Sequence, residues 1–394
     1  MKSILRRTGI SCAALLCLSS IARADAGVSR TIHHHYVGTR PLGMGDAFVA
    51  VANDYNAIFY NPAGLARRDD GEMNLFIDLG ASSSFPTITK DIQEAQKTTG
   101  TDADKQQAML DAIEKNYGKT LGLRLTPLSG IVVRPNWGVA IIPADLTLEG
   151  TLHRSVGPSI DTTVYLDSTV AFGYGDDFRG IQSGRLSWGV TGKLINRAYF
   201  SKAISFLELA SDSNLVKISD FQEGFGVDAD IGFLYTPMLP SEGFWSLLRL
   251  TKPSFGLVVR NIAETKFSNS MKLVNKESAG APEQMYRVID IGTRWEYPSF
   301  WLFGGRGVMD FRDIMHPAVN FRKSLHLGFE FDWTVASWWK GAYRVGLNQG
   351  YFTGGLSAMF TLFNLDAVTY GENVGTYSKP EENRMYSVRL NINW

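Results

Sequence analysis

The sequence predicts an all-β fold: a transmembrane antiparallel β-barrel of about fourteen strands with an N-terminal plug inside it. Three observations carry this. Beyond residue 120 the dominant pattern is apolar/polar alternation with a period of two. One set of alternate positions is large and apolar, while the other holds acids and glycines. The last eleven residues alternate in the same way and stop on an aromatic ring.

The alternation is explicit in four segments. In Ser324–Trp333, Leu325, Leu327, Phe329, Phe331 and Trp333 share one side, and His326, Gly328, Glu330 and Asp332 the other. In Glu223–Tyr235, Phe225, Val227, Ala229, Ile231, Phe233 and Tyr235 oppose Gly226, Asp228, Asp230 and Gly232. After Val288, Ile289, Ile291, Trp295 and Tyr297 oppose Asp290, Gly292, Arg294 and Glu296; near Thr162 the apolar set is Val164, Leu166, Val170, Phe172 and Tyr174. A soluble sandwich rarely places acids and glycines opposite five large apolar residues. A barrel with lipid outside and an enclosed interior does. Trp137, Trp188, Trp295, Tyr297, Trp301, Trp333, Trp338, Trp339 and Tyr343 near strand ends suit an aromatic girdle.

Composition agrees. The 394 residues are 44% hydrophobic and 20% charged, too apolar for disorder and too charged for a helical membrane protein. Zero formal net charge offers no field for nucleic acid. Residues 1–26 read as a secretory signal: Lys2, Arg6 and Arg7, a short apolar core Ile10–Ile21, and small residues at Ala24 and Ala26. Cleavage after Ala26 would leave a net charge of −3 and remove Cys12 and Cys17, the only cysteines. A thiol-free exported chain has no disulfide and no thiolate metal site.

Candidate strands lie near 72–85, 120–134, 137–152, 162–178, 185–200, 223–236, 253–267, 285–297, 300–312, 322–333, 340–349, 352–361, 364–371 and 384–394. With both termini periplasmic, the long connections 86–119, 201–222, 268–284 and 372–383 face outward, and Pro135-Asn136 and Pro298-Ser299 are tight turns. Phe244, Trp245, Leu247, Leu248 and Leu250 suggest a short interfacial helix in the long periplasmic connection 237–252. Residues 102–117 read as a helix whose Ala108, Met109, Ala112, Ile113 and Tyr117 share one face, either solvated or packed over the barrel mouth. In the final strand Tyr386, Val388, Leu390, Ile392 and Trp394 alternate with polar residues, like a signal read by barrel-assembly machinery.

The expected plug spans residues 27–70, ahead of a barrel over 71–394. Gly38, Gly43 and Gly45 permit close backbone approach, Asp46–Val51 has the composition of a short helix, and Pro62 fixes its φ while Asn61 holds the turn. Val37-Gly-Thr-Arg-Pro-Leu-Gly-Met-Gly-Asp-Ala-Phe48, leading to Asn61-Pro62-Ala63-Gly64-Leu65, resembles the N-terminal plug of the FadL superfamily of outer-membrane transporters, and most its PorV/PorQ-like branch. Tyr343-Arg-Val-Gly-Leu-Asn-Gln-Gly-Tyr351 and Thr369-Tyr-Gly-Glu-Asn-Val-Gly375 resemble the same branch.

The resemblance implies a Gram-negative outer-membrane location and passive transport of hydrophobic molecules such as long-chain fatty acids. Gly43, Gly45, Asp46, Asn61, Pro62, Ala63 and Gly64 would be plug or gate residues. Family members release substrate sideways at the third strand, and here that strand contains Pro143, which deletes a ladder hydrogen bond. Relatives in the PorV-like branch imply an alternative: an accessory barrel that holds a secreted protein. The expected partners are thus outer-membrane lipid, the assembly machinery, a hydrophobic small molecule and, in the alternative, a secreted protein.

No catalytic constellation emerges. There is no Gly-x-Ser-x-Gly elbow, and beyond the plug the histidines are His153, His316 and His326 alone. His326 lies near Glu330 on one strand, where a plugged lumen leaves little room for substrate. His33-His34-His35 reads as incidental surface histidine, since three consecutive residues cannot all face one ion. Gly304-Gly305-Arg306-Gly307 lacks the ending of a phosphate loop. No cofactor, metal or enzymatic activity is expected. Lumen charges (Asp228, Asp230, Asp290, Arg294, Glu296, Glu330 and Arg389) are expected to pair with one another and with plug backbone.

Overall fold

Each of the four alternating segments forms a strand in the computed structural model, which describes residues 31–153, 158–211, 216–268, 270–277, 280–375 and 380–394. The expected signal (1–26) and the first residues of the expected plug lie outside the described residues. The strands are β1 (Glu72–Ser82), β2 (Thr120–Arg134), β3 (Trp137–His153), β4 (Ser159–Asp177), β5 (Gly184–Ser205), β6 (Gln222–Pro237) and β7 (Ser254–Arg260). They continue as β8 (Val288–Phe300), β9 (Phe303–Ile314), β10 (Leu325–Ala336), β11 (Trp339–Asn348), β12 (Tyr351–Phe360), β13 (Phe363–Asn373) and β14 (Glu382–Asn393). Every strand pairs antiparallel with its sequence neighbour, and β1 pairs with β14 from Asn74↔Asn393 to Ser82↔Met385, so the sheet closes without an edge.

The burial pattern is that of a barrel with an apolar outside. On β10, Phe329 and Phe331 are 43% and 47% exposed while His326 and Glu330 are 1% and 2% exposed. On β14, Tyr386, Val388 and Leu390 face out, and Ser387, Arg389 and Asn391 are buried. An apolar outer belt around a polar interior is consistent with an outer-membrane barrel. All nine tryptophans lie at the end of the barrel that carries the short turns and the C-terminus: Trp137, Trp188, Trp245, Trp295, Trp301, Trp333, Trp338, Trp339 and Trp394. Indole rings favour the membrane interface, so this end is ringed by an interfacial girdle.

Three expectations are corrected. The strand expected over 253–267 ends at Arg260. Asn261 takes φ +55, and the chain beyond it folds onto β6, where Asp228 accepts the amides of Ala263 (3.1 Å) and Thr265 (3.2 Å). Glu223 likewise accepts the amides of Leu273, Val274 and Asn275 at 2.8–3.1 Å. The helix expected at 46–51 is a run of turns, because the amides of Phe48 and Val49 donate to Asp310 (2.6 and 2.8 Å) instead of to helical carbonyls. Finally, β1 ends at Ser82 and not at 85, since Phe85–Gln96 is a helix, which we label α1.

The second helix of that loop, α2 (Asp102–Glu114), occupies most of the expected 102–117 span and is opened by a Thr101/Asp104 capping box. Its Met109, Ala112 and Ile113 pack with Ile88 of α1 and with Leu152, Ile160 and Ile204 at the ends of β3, β4 and β5. Its apolar face is therefore anchored to the barrel rim and not solvated. The expected interfacial helix is present as α3 (Phe244–Leu250), with Trp245 and Leu250 exposed.

Candidate functional site in the barrel lumen

Residues 31–68 are not part of the wall; they lie against its inner face. The closest approaches are backbone to backbone and fall on wall glycines. A Cβ on Gly328 would meet the Met44 carbonyl carbon at 2.7 Å, one on Gly256 the Val49 oxygen at 2.6 Å, and one on Gly175 the Pro62 oxygen at 2.8 Å. Gly45 sits between β10 and β11 at φ +68, where a side chain would be both strained and blocked by the Leu347 oxygen at 2.5 Å. Its amide donates to Thr353 Oγ1 (3.1 Å), and His326 places Nδ1 2.7 Å from its carbonyl oxygen. Gly43 accepts from the Thr353 hydroxyl at 3.1 Å.

Asp46 pairs with Arg312 of β9 and accepts the Tyr60 hydroxyl at 2.6 Å. Asn61 is a three-way fastener. Its Nδ2 donates to the Val49 carbonyl (2.8 Å) and to the Phe233 carbonyl of β6 (3.2 Å), while its Oδ1 accepts the Ala63 amide (3.1 Å). Pro62, Ala63 and Gly64 form the buried turn that follows, seated over Gly175.

Most of the lumen charges pair with opposite charges, while Asp228 instead accepts the Ala263 and Thr265 amides. Arg40 forks onto Glu330 (2.8 and 2.7 Å) and reaches Asp54 (2.8 Å), and Arg344 reaches the same Glu330 at 2.6 Å. Arg389 binds Asp78 (2.9 Å), the Tyr36 and Tyr55 hydroxyls (both 3.2 Å) and the Val37 carbonyl (3.0 Å). Lys193 pairs with Asp230 (2.7 Å) and Arg260 with Asp290 (2.6 Å). Arg312, Arg344, Arg260, Lys193 and Asp310 were not singled out in the sequence; their one available signal is alternation with the apolar wall residues.

The histidines at 33–35 are not surface residues. They line a cavity of about 940 Å³ between the N-terminal segment and the long loops. His33 donates to Asp167 (2.9 Å) and His34 reaches Asp313 (3.0 Å), each a carboxylate from a distant strand. Burial, opposed by Asp167, holds the His33 imidazole down at about 4, and burial also holds His316 at about 4. No cluster of metal-binding side chains occurs among the described residues.

The ladder is interrupted at Pro143. Pairing of β2 with β3 runs to Leu125↔Leu146 and resumes only at Gly130↔Ile141. On the other side, β3 and β4 shift register between Ile142 and Asp145, and β1 and β2 shift between Phe76 and Asp78. A second proline, Pro127, lies in the same gap on β2, where the register on either side sets it opposite Ala144 and sets Leu128 opposite Pro143; sequence reading missed it because its meaning depends on that register. Side chains satisfy the two proline carbonyls and bridge the strands. Ser168 donates to the Pro143 carbonyl (2.7 Å), Ser129 to the Pro127 carbonyl (2.9 Å), and Thr126 to Asp145 (3.0 Å). The outer side at this level is apolar, with Leu128 and Ile141 exposed.

Neither a protein-family model nor a curated protein sequence matches the chain. Among solved structures it is similar to the monoaromatic hydrocarbon channel CymD, at 10% identity over 91% of this chain and 97% of that one, with a TM-score of 0.47. The toluene transporter TbuX of Ralstonia pickettii gives 10% identity, 91% and 99% coverage and a TM-score of 0.47. A FadL homologue of Pseudomonas aeruginosa gives 9% identity, 93% and 98% coverage and a TM-score of 0.41. At such identity no lumen residue can be carried across from them.

Proposed function

We propose that the chain is an outer-membrane channel for the passive passage of hydrophobic molecules, long-chain fatty acids among them. In this reading residues 27–70 are the internal plug. Gly43, Gly45, Asp46, Asn61, Pro62, Ala63 and Gly64 hold it against the wall, and the wall opens sideways at the β2–β3 gap that contains Pro143 and Pro127. The observation that carries the reading is the missing run of backbone pairing between β2 and β3 inside the apolar belt. In lipid every backbone polar group needs a partner, so a gap whose carbonyls are satisfied by serine hydroxyls is a stable site for parting two strands. The gap also adjoins the cavity. Asp145 pairs in register with Asp167, which holds both His33 and Arg197 of the cavity lining.

The test is a reversible staple. Thr126→Cys with Asp145→Cys places two thiols across the gap, in a chain whose only native cysteines are Cys12 and Cys17. Uptake of a labelled fatty acid by cells should fall on oxidation to the level of cells lacking the protein and return on reduction. Uptake unaffected by the staple refutes the lateral route. Equal uptake with and without the protein refutes transport altogether. It would leave the second reading, a PorV-like barrel that holds a secreted protein, which draws on Ile218, Leu273, Met315 and Phe321, exposed on the long-loop rim.

A further inference from the structure

The cavity lining contains a floor built by strand register. Tyr165 pairs in register with Tyr199, and Asp167 with Arg197, on the adjacent strands β4 and β5. Residues two apart on a strand share a face, so two aromatic rings and one charge pair lie side by side. The rings of Tyr165 and Tyr199 are 5.0 Å apart. Arg197 forks onto Asp167 with two bonds of 2.8 Å and sets its guanidinium 5.3 Å over the Tyr165 ring. Tyr165, Asp167 and Arg197 are 7%, 0% and 4% exposed, so the floor is desolvated and fixed.

What lies on this floor is a side chain of the N-terminal segment. The His33 imidazole stacks on Tyr165 with centroids 3.8 Å apart and planes 5° from parallel, and its Nε2 donates to Asp167. The segment there has no regular secondary structure, and His33 is tethered to the wall by this stack and this one bond. The rest of the lining sets hydrogen-bonding groups, among them Tyr286, Asn261, Glu283 and Gln284, beside the apolar Met285 and Val288.

We infer that the Tyr165/Tyr199/Asp167/Arg197 floor is a binding site for a small planar aromatic solute bearing an N–H or O–H donor, and that His33 occupies it in the solute's place. A flat ring gains the stack on Tyr165, and its donor replaces the His33 bond to the buried carboxylate. A plain hydrocarbon of the same shape would leave Asp167 without that donor, which a buried acceptor does not tolerate cheaply. Because His33 is neutral at neutral pH, the group it stands in for is a neutral donor such as a phenol. The inference rests on the cavity being the vestibule of the channel proposed above, and it names the class of solute held there.

The test compares phenol with toluene, its isostere without a donor, by calorimetric titration of the full-length barrel in detergent. His33→Ala should vacate the floor and bind phenol about tenfold more tightly than the wild type. Toluene should gain much less. His33→Phe, which refills the stack, should return phenol to wild-type affinity or below, and adding Tyr165→Ala to His33→Ala should abolish the gain. Folded migration on unheated gels verifies each variant. Equal phenol affinity in the wild type and His33→Ala, or toluene binding as tightly as phenol, overturns the inference. These outcomes are read on purified protein. Failed binding with intact, staple-sensitive fatty-acid uptake therefore sinks the site alone, while lost uptake with intact phenol binding sinks the transport reading alone.

Discussion

Replacing Gly328 with alanine tests whether the N-terminal segment is wedged inside the wall. The added Cβ would point inward and meet the Met44 carbonyl carbon at 2.7 Å, backbone against backbone, so no rotamer change relieves it. Overpacking of this kind costs about 1–3 kcal/mol. A shift of the segment large enough to clear the clash also strains two bonds of Gly45, from its amide to Thr353 (3.1 Å) and from His326 to its carbonyl (2.7 Å). At roughly 1 kcal/mol each, the total is about 3–5 kcal/mol against docking. That raises the undocked population by roughly a hundredfold or more. Gly192→Ala is the control, since nothing lies within 4 Å of its Cβ position. Hydrogen exchange at the Phe48 and Val49 amides, which are bonded to Asp310, reads the docking directly. Faster exchange and higher bilayer conductance are expected for Gly328→Ala only. Identical behaviour of the two variants would refute the reasoning.

Acidification should loosen the same segment. The docked His33 titrates at about 4, below the 6.5 it has in water, so the undocked form binds the extra proton between these values. Docking is at full strength above about pH 6.5 and weakens on descent to pH 4 by roughly 1.4 kcal/mol per unit; protease sensitivity of residues 31–40 that is flat across this window would contradict it. Arg197→Met should destabilise the barrel by about 3–5 kcal/mol, because Asp167 is left as an uncompensated buried charge, and adding Asp167→Leu should restore much of the loss in thermal unfolding. Trp394→Ala should lower the yield of membrane-inserted barrel while leaving the purified barrel within about 1 kcal/mol of wild-type stability, since this ring is half exposed; normal insertion would remove its role as an assembly signal.

The wall was legible in the sequence because a residue's contact with lipid or lumen is decided locally, by the parity of its position. Fourteen candidate strands correspond to the fourteen observed, and the one that overran furthest, β7, did so for a non-local reason: Asp228 and Glu223 of β6 capture the chain beyond Arg260. The lumen obeys no such period. Asp46 meets Arg312 across 266 residues, and Tyr36 meets Arg389 across 353. The histidine triplet has no carboxylate nearby in sequence, and its partners, Asp167 and Asp313, come from β4 and β9. Pro127 carried a signal, a second proline inside a strand, but only the β2–β3 register shows that it shares one gap with Pro143.

These contacts also bear on which way a channel of this build would open. Drawing residues 31–68 out along the barrel axis would strip Glu330 of Arg40, Arg312 of Asp46 and Arg389 of the Val37 carbonyl and the Tyr36 and Tyr55 hydroxyls. Each broken buried pair costs on the order of 3–5 kcal/mol unless water enters to replace it. Parting β2 from β3 begins where the backbone bonds are already missing, and the principal bond across the gap is one side-chain contact, Thr126 to Asp145. In the proposed channel the sideways route would therefore disturb less of the structure, and it would deliver an apolar molecule to the apolar belt without passing the charges that hold residues 31–68.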